Sequence, residues 1–340
     1  HCLRAIERVA QRWSPRGLPL IGEGDWNDGL SHVGLKWKGE SVWLGHFYYG
    51  ILNRFAEVAQ RRGDKIRVRD WTERAAKLKD AINEHGWDGE WYIAATRDDG
   101  RPIGSKKEKY GKIHLNAQTW ALINGTGTPE RIRKGMAAAR KHLYRDYGPL
   151  LLSPAYTEVD ATIGYITRYA PAVRENGGVY THGATWAIQA ECMLGNGDAA
   201  IDLYRRLAPP LRGLDSDRYF AEPYVTPGNI DGPDSVNYGR GGWTWYTGSA
   251  AWLFKIATDW ILGVRPSREG LLIDPCIPKA WKGFEITRPF RGAVYQITVH
   301  NPHGVSKGVK SIAVDGRPLT QPLVRPHGDG RTHQVEVVLG

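Results

Sequence analysis

A tryptophan recurs at a fixed interval along the chain, and this repeat limits the possible folds more than any other feature of the sequence. Trp120, Trp186 and Trp252 follow one another at intervals of 66 residues. Each lies in an apolar stretch that begins with small or polar residues and ends at a glycine, which predicts a helix with a C-terminal stop. Further helices are predicted near 129–142 and 197–206. The predicted unit is therefore a helix, a loop, a second helix and a long loop.

A unit of this length exceeds the repeats of the common helical solenoids. It fits an α/α-toroid, in which the long loops build a cleft at one end. The alternative is a chance spacing, because the chain contains 14 tryptophans. Against chance, the first two copies share Thr-Trp-Ala and all three share the glycine stop. The sequence predicts a mainly α chain.

The sequence pattern changes near residue 271 to short alternating apolar runs, separated by Gly, Pro and Asn-Pro turns. Alternation of this kind predicts strands that are buried on one face. We therefore expect a small all-β sandwich over 266–340, preceded by a helical domain over 1–265. Within the helical domain, helices are predicted at 41–61 and at about 70–85, with loops and a hairpin over 87–113.

Composition narrows the classes of function. The chain has 14 Trp and 16 Tyr against 6 Phe, and Trp and Tyr combine an apolar face with a hydrogen-bonding group. Such side chains suit a sugar, which presents a C–H face and a rim of hydroxyls. The net charge of +10 is scattered rather than gathered in a nucleic-acid-binding motif, so no nucleic-acid partner is expected.

The cellular location is predicted from the lack of membrane-spanning and disulfide patterns in the sequence. No stretch approaches the roughly 18 consecutive apolar residues of a membrane span, so no membrane partner is expected. The three cysteines, Cys2, Cys192 and Cys276, are odd in number and far apart in sequence. This spacing allows neither a disulfide framework nor a zinc knuckle and favours the cytoplasm. The chain opens inside an amphipathic helix pattern, which predicts a piece cut from a longer protein.

The glycine-rich loop 22–29 carries three carboxylates and a tryptophan: Glu23, Asp25, Trp26 and Asp28. Glycines let a backbone approach a ligand closely, and an aromatic ring beside carboxylic acids is typical of sugar-cleaving sites. A calcium loop fits less well, because the twelfth position is Lys36 rather than the glutamate that such a loop needs. The sequence predicts no metal site and no cofactor.

Two predicted helices begin with small hydrogen-bonding residues at equivalent repeat positions, in 180–183 and 246–249. The free N–H groups and the dipole of a helix start favour an anion, although a plain N-cap is the commoner role of such residues. One acid near a sugar, together with an anion pocket, indicates phosphorolysis, because phosphate is itself a nucleophile. Inverting hydrolysis would instead need a second carboxylate as base.

Five motifs occur in a fixed order: GDWNDG, KGESVW, RENGGVYTH, AEPYV and GGWTWYTGSAAW. This ordered set resembles the inverting glycoside phosphorylases of the cellobiose and chitobiose phosphorylase type, glycoside hydrolase family 94, including the related domain of cyclic β-1,2-glucan synthases. The resemblance covers nearly the whole chain. It implies a catalytic (α/α)6 barrel that is incomplete at its N-terminus, followed by a C-terminal β-sandwich, with a preceding β domain missing from this sequence.

The resemblance also implies roles for individual residues. Asp28 would be the general acid that protonates the glycosidic oxygen while inorganic phosphate, a co-substrate, attacks the anomeric carbon from the opposite face. Trp26 would line the donor-sugar site. Phosphate would be held by His182, Thr247 and the N–H group of Gly248. Tyr169 and Arg174 match acceptor-side positions. The expected partners are a β-linked disaccharide or oligosaccharide and phosphate, and a homodimer would form through the missing domain.

Two departures from the family pattern concern the acceptor. Gly228 stands where cellobiose- and chitobiose-type members carry a glutamine, and Tyr165 replaces an acidic acceptor contact of the cellobiose enzymes. With Arg168 and Arg174 nearby, an aldonic acid is a candidate acceptor. Two other functions stay open at this point. One is an inverting hydrolase on the same toroid, and the other is a non-catalytic carbohydrate-binding domain of a larger glucan synthase.

Overall fold

The computed structural model describes residues 1–245 and 247–340, and the side chain of Thr247 is also outside the described atoms. The chain divides into two units. The first unit contains residues 1–186, 213–222 and 227–244, and the second contains residues 187–212, 223–226 and 245–340. The second unit thus holds all of the segment 266–340 that the sequence predicts to be β. The domain boundary expected after residue 265 stays a prediction.

Helices dominate the chain up to residue 261, in line with the helical pattern of the sequence. The α-helices of the described ranges are α1 Cys2–Ala10, α2 Val42–Arg61, α3 Lys65–His85, α4 Leu115–Ile123, α5 Pro129–Leu143, α6 Thr181–Met193, α7 Gly197–Leu207, α8 Pro209–Arg212, α9 Ser216–Tyr219 and α10 Thr247–Ile256. A short 3-10 helix covers Tyr165–Arg168, and a π-helical turn, Ala257–Ile261, extends α10.

Local signals explain why the longest helices begin where they do. Ser41, Asp64 and Thr128 are the N-caps of α2, α3 and α5, and each side chain accepts a hydrogen bond from a backbone N–H in the first turn. Gly63 separates α2 from α3 with a φ of 73°. The Asp64 cap also explains why α3 begins at Lys65, several residues before the predicted start.

The helices of the first unit bury an aromatic core that contains two of the repeat tryptophans. The rings of Trp120 on α4 and Trp186 on α6 meet edge to face, with centroids 5.1 Å apart. Trp43 on α2 lies 5.9 Å from Trp120 and 6.3 Å from Trp186. Tryptophans on three helices therefore converge, so the repeat positions face one interior, as a toroid would require.

Strands in the first unit are two residues long and serve to fix loops. They are β1 Glu40–Ser41, β2 Ala95–Thr96, β3 Pro102–Ile103, β4 Ile113–His114, β5 Tyr144–Arg145, β6 Gly148–Pro149, β7 Leu152–Ser153, β8 Val179–Tyr180, β9 Asn229–Ile230 and β10 Gly241–Gly242. Antiparallel pairing of β2 with β3 confirms the predicted hairpin within 87–113. The order β10-β9-β8 gathers segments that are far apart in sequence.

The second unit carries a β module of two sheets. Its strands are β11 Val264–Pro266, β12 Leu271–Ile273, β13 Gly283–Phe290, β14 Ala293–His300, β15 Val309–Val314, β16 Arg317–Pro318, β17 Leu323–Val324 and β18 Thr332–Leu339. One sheet has the order β11-β12-β17 and the other the order β13-β14-β18-β15-β16. Along β14, Tyr295, Ile297 and Val299 are buried while alternate residues are more exposed. This alternation confirms the predicted strand pattern.

The predicted combination of a helical region and a following β region is confirmed. Helices α2, α5 and α7 lie close to their predicted ranges, with bounds that differ by at most one residue. Among the described residues, no helix combines the length and the apolar character needed to cross a membrane. The structure shares its helical-plus-β arrangement with the family implied by the motifs, and the complete toroid stays a proposal.

Candidate active site

The loop 22–29 is held by a chain of hydrogen bonds that begins at Asp25. The Asp25 carboxylate accepts a hydrogen bond from the backbone N–H of Asn27 at 2.8 Å and one from the Ser41 hydroxyl at 2.6 Å. The Ser41 oxygen also accepts from the N–H of Leu44 at 2.8 Å, so the same hydroxyl caps α2. Asn27 in turn accepts from the N–H of Gly29 at 3.1 Å. The loop is thereby tied to the start of a long helix.

Burial raises the pKa of Asp25 to about 6, although hydrogen bonds from Ser41 and Asn27 work in the opposite direction. Asp28, three residues along the loop, is exposed. The two aspartates therefore have different positions: one is a bracing group inside the loop, and the other points to a place that a substrate can reach. This supports the choice of Asp28 over Asp25 as the reacting acid.

A second loop brings Tyr165 against Asp28. The two loops are joined by a backbone hydrogen bond from the N–H of Ile166 to the oxygen of Gly29 at 3.0 Å. A Cβ added at Gly29 would lie 2.9 Å from the Ile166 Cβ, so only glycine permits this approach. Burial, followed by a hydrogen bond to the Asp28 carboxylate, raises the pKa of Tyr165. The predicted acid and a predicted acceptor-side residue are thus in contact.

The other predicted acceptor-side residues continue from Tyr165. The Tyr169 ring lies edge to face with the Tyr165 ring, with centroids 5.7 Å apart. The Arg174 guanidinium lies 4.4 Å above the Tyr169 ring and 3.4 Å above the Trp243 ring. Contacts of this kind hold a cation over an aromatic face while leaving its N–H edge able to bind an anion or a hydroxyl.

Backbone strain is concentrated beside this cation. Arg174 and Trp243 have φ values of 55° and 56°, in the left-handed region that large side chains seldom adopt. Such conformations cost on the order of 1–3 kcal/mol each and cluster at functional sites. The strained backbone aims both side chains at each other, and the sequence gives no signal of it.

Trp26 connects the loop 22–29, which we call the acid loop, to the start of α6. Its indole N–H donates to Nδ1 of His182 at 3.4 Å, and its ring contacts those of Tyr180 and Trp186 at centroid distances of 5.3 and 5.0 Å. An indole N–H can only donate, so Nδ1 of His182 is the acceptor and its ring proton lies on Nε2. Burial lowers the pKa of His182 to about 4, so this histidine is neutral at pH 7.

These contacts form a chain whose two ends, Asp28 and Trp26, lie in the loop 22–29, and we call the set the site circuit. Its members, each in contact with the next, are Asp28, Tyr165, Tyr169, Arg174, Trp243, Tyr180 and Trp26. All lie in the first unit. Five of the seven are flat aromatic side chains, one is an acid and one is a cation. The set is suited to hold a sugar by stacking and hydrogen bonding beside one proton donor.

The remaining predicted phosphate ligands lie at the start of α10. The side chain of Thr247 is outside the described residues, and Gly248 is the second residue of α10 in the second unit. Thr181 and Thr247 are the first residues of α6 and α10, which confirms that both predicted segments begin helices. The roles of Thr247 and Gly248 in binding phosphate stay predictions.

Three members of this region were not assigned from the sequence. Tyr180 and Trp243 lie in quoted motifs, but only the fold brings them beside Trp26 and Arg174. The third is Glu175, which is 3% exposed and lies 3.4 Å from Arg174. Burial chiefly raises the pKa of Glu175, and the negative charge of Asp28 adds to the effect. The pKa of Glu175 therefore depends in part on the charge of Asp28.

Residues 1–263 match the profile of the glycosyl hydrolase 94 superfamily, catalytic domain. The chain is 38% identical over 338 residues to solabiose phosphorylase of Paenibacillus borealis, covering 99% of this chain and 44% of that protein. It is also 38% identical over 342 residues to N,N'-diacetylchitobiose phosphorylase of Vibrio proteolyticus, covering 100% of this chain and 42% of that protein.

A third relative is much longer. The chain is 39% identical over 317 residues to cyclic beta-(1,2)-glucan synthase NdvB of Rhizobium meliloti, covering 92% of this chain and 11% of that protein. Among solved structures, a GH78 family rhamnosidase of Bacillus sp. GL1 matches with a TM-score of 0.58 and 16% identity, over 89% of this chain and 30% of that chain. This last likeness concerns the fold alone. The chain spans less than half the length of the phosphorylases that it matches.

Proposed function

The chain belongs to the glycosyl hydrolase 94 superfamily, and from this membership we propose that it forms the catalytic part of an enzyme that cleaves β-linked sugars by phosphorolysis. The family resemblance carried by the five motifs is confirmed. The observation that most supports the proposal is the contact of Trp26 with His182, at 3.4 Å between the two nitrogens. It joins a sugar-facing residue and a phosphate-facing residue to the loop that bears Asp28.

In the proposed reaction, Asp28 donates its proton to the glycosidic oxygen as the bond from that oxygen to the anomeric carbon breaks. A phosphate oxygen attacks the anomeric carbon from the opposite face. The products are an α-sugar 1-phosphate and the shortened acceptor. The Tyr165 hydroxyl, which is hydrogen-bonded to Asp28, stabilises the carboxylate that remains after proton transfer.

Neutral His182 suits phosphate binding through its tautomer. The Trp26 hydrogen bond leaves the ring proton on Nε2, so His182 acts as a hydrogen-bond donor to phosphate oxygen without adding a fixed positive charge. Thr247 and the N–H group of Gly248, at the start of α10, are proposed as further phosphate ligands. A helix start favours an anion through its unpaired N–H groups and its dipole.

The acceptor is proposed to lie against Tyr165, Tyr169 and Arg174. These three side chains follow one another along the site circuit from Asp28. The Arg174 cation is flanked by Glu175 at 3.4 Å, which offsets part of its charge. The proposal therefore names a β-linked disaccharide or oligosaccharide as substrate, and its acceptor unit is bound by stacking and by the N–H edge of Arg174.

The proposed fold for this reaction is an (α/α)6 toroid followed by a β-sandwich. The convergence of Trp43, Trp120 and Trp186 supports it, because these residues lie on three different helices and share one interior. The proposed location is the cytoplasm, and a homodimer is proposed for the whole protein.

An inverting hydrolase is the second candidate, and Glu175 is the observation that favours it. Hydrolysis needs a carboxylate base in addition to the acid, and Glu175 is an acid close enough to influence Asp28 electrostatically. Its burial and its ion pair with Arg174 argue against that role, because a base must reach a water molecule opposite the leaving group. A third candidate role is that of a domain of a larger glucan synthase, because the chain is similar to part of such a protein.

Phosphate dependence separates these functions. The protein is produced with all of the upstream sequence that its gene encodes and is incubated with β-linked disaccharides, with and without inorganic phosphate. We expect sugar 1-phosphate only in the presence of phosphate, with α configuration by NMR. Free sugar at equal rates with and without phosphate would establish the hydrolase instead. Absence of both products, with sugar binding retained, would favour a binding domain.

A further inference from the structure

Two histidines and two aspartates meet at one place in the β module. Asp315 follows β15 in the turn to β16, His327 and Asp329 precede β18, and His333 lies within β18. One carboxylate oxygen of Asp315 and one ring nitrogen each of His327 and His333 lie within 4.8 Å of one another. Three ligand atoms from three segments are thus gathered at distances that modest side-chain movement can close around an ion.

His333 is the centre of this group. It is 7% exposed, and its Nδ1 lies 2.7 Å from an Asp315 oxygen while its Nε2 lies 3.1 Å from an Asp329 oxygen. These contacts, with Asp315 first, raise the pKa of His333. A proton therefore bridges His333 and Asp315 in the absence of an ion. In tetrahedral zinc coordination the same two atoms stand about 3.3 Å apart, so the pair needs to open by roughly half an ångström.

Both histidines also have a partner on a second nitrogen, as metal-binding histidines usually do. Asp329 is placed to accept the Nε2 proton of His333. The Tyr295 hydroxyl lies 3.1 Å from Nδ1 of His327 and also accepts the backbone N–H of His327 at 3.0 Å. When zinc replaces the proton between His333 and Asp315, the Asp329 contact keeps the remaining ring proton of His333 on Nε2 and leaves the Nδ1 lone pair for the ion.

We propose that Asp315, His327 and His333 form a zinc-binding site, with water in the fourth position. Two imidazoles and one carboxylate suit Zn²⁺ better than Ca²⁺ or Mg²⁺, which prefer oxygen ligands. The two imidazole rings are stacked, with centroids 3.7 Å apart, and a metal binds in the ring plane. His327 must therefore turn relative to the face of His333. Its side chain is exposed, and this turn changes its contact with the Tyr295 hydroxyl.

The bound ion would tie the β15–β16 turn to the strand β18. Both parts belong to one sheet, in which β15 already pairs with β18. The inference does not depend on the proposed phosphorolysis, because the site lies within the β module of the second unit and none of its residues belongs to the site circuit.

Calorimetric titration of the tag-free, full-length protein with zinc chloride at pH 8 tests the site. We expect one zinc ion per chain, with at least tenfold weaker binding in Asp315→Asn and in His327→Ala. The matched control is His300→Ala. His300 is exposed and lies 3.0 Å from Glu336. Among the described residues no third ligand joins this histidine–carboxylate pair, so its removal should leave the affinity unchanged.

Cobalt(II) absorption identifies the ligands. We expect visible bands of a tetrahedral site without thiolate charge transfer, because the proposed ligands include no cysteine. Zinc should also raise the melting temperature of wild type but not of His327→Ala. The proposal is overturned if wild type takes up no zinc, if His327→Ala binds it equally well, or if thiolate bands place the ion at cysteines. In the first case the cluster is an ion-paired group only.

Discussion

At the scale of single residues, two aspartates three positions apart show how a short loop assigns different tasks to the same side chain. Asp25 is held by the Asn27 N–H and the Ser41 hydroxyl. Asp28 is exposed and meets Tyr165. Because both oxygens of the Asp25 carboxyl group accept hydrogen bonds that hold the loop, this group is poorly placed to transfer a proton to a substrate. Asp28 has the access that this step requires.

The raised pKa of Asp25 predicts a pH-dependent stability. The folded value of about 6 lies above the ordinary 3.8, so between these pH values the folded state holds a proton that the unfolded state has lost. The free energy of unfolding must then fall as pH rises through this window. Relative to Asp25→Asn, wild type should lose about 2 kcal/mol between pH 4 and pH 7, as measured by urea denaturation at each pH.

Asp98 provides a control for which stability should change with pH in the opposite direction. Burial there is outweighed by hydrogen bonds from the N–H groups of Lys36, Lys38 and Gly39, which lower the pKa of Asp98. Relative to Asp98→Asn, wild type should therefore gain stability as pH rises from below 3 to 5. If wild type and Asp25→Asn keep a constant difference from pH 4 to pH 7, burial of the Asp25 carboxyl is refuted.

The sequence predicted which residues belong to the site more completely than it predicted the contacts between them. Asp28, Trp26, Tyr165, Tyr169 and Arg174 all occur in the site circuit, although their roles stay proposals. Nothing in the sequence neighbours of Trp243 reveals its φ of 56°, so the sequence alone does not distinguish core packing from sugar binding for this side chain. Cys192 and Cys276 are 84 residues apart in sequence, yet a hydrogen bond joins their side chains. Spacing does not report such contacts.

At the scale of elements, the helix α2 and the acid loop depend on one hydroxyl. The Ser41 hydroxyl caps α2 through Leu44 and donates to Asp25, so the first turn of the helix positions the loop. Helix bounds were predictable because they rest on local signals such as caps and glycine stops. Two-residue strands such as β1, β4 and β8 were not predictable, because each pairs with a distant segment and carries no periodic pattern of its own.

Ser41→Ala should affect both stability and catalysis. Loss of an N-cap costs about 1 kcal/mol, and loss of the bond to the buried Asp25 carboxyl adds about 1–3 kcal/mol. We expect a free energy of unfolding lower by roughly 2–4 kcal/mol and a kcat lower by about tenfold, since the loop bearing Asp28 loses its anchor. Denaturation and initial-rate measurements check these two values.

Thr128→Ala is the matched control. Thr128 caps α5 through the N–H of Arg131 at 3.3 Å and has no contact with the acid loop among the described hydrogen bonds. This change should lower stability by about 1 kcal/mol and leave kcat as in wild type. Equal effects of the two substitutions on kcat would mean that Ser41 acts only as a helix cap.

At the scale of the whole molecule, the order of helical and β regions followed from a change of period in the sequence. Apolar residues at helical spacing give way to alternation near residue 271, and each period dictates which faces are buried. The closure of a toroid cannot be predicted from this change of period, because closure depends on how many helix pairs are present. The chain matches 44% of the length of solabiose phosphorylase, so the whole protein is the proper object for activity measurements.

The central claim is that Asp28 is the proton donor of a phosphorolytic site, and Asp28→Asn tests it most directly. In the full-length protein, with a disaccharide cleaved by wild type and with saturating phosphate, we expect kcat to fall by about 10³-fold, within the range for loss of a general acid. Glu23→Gln, which alters an exposed acid of the same loop, should stay within twofold of wild type. Circular dichroism should be unchanged in both variants. An Asp28→Asn enzyme that keeps more than a tenth of the wild-type kcat would contradict the assignment.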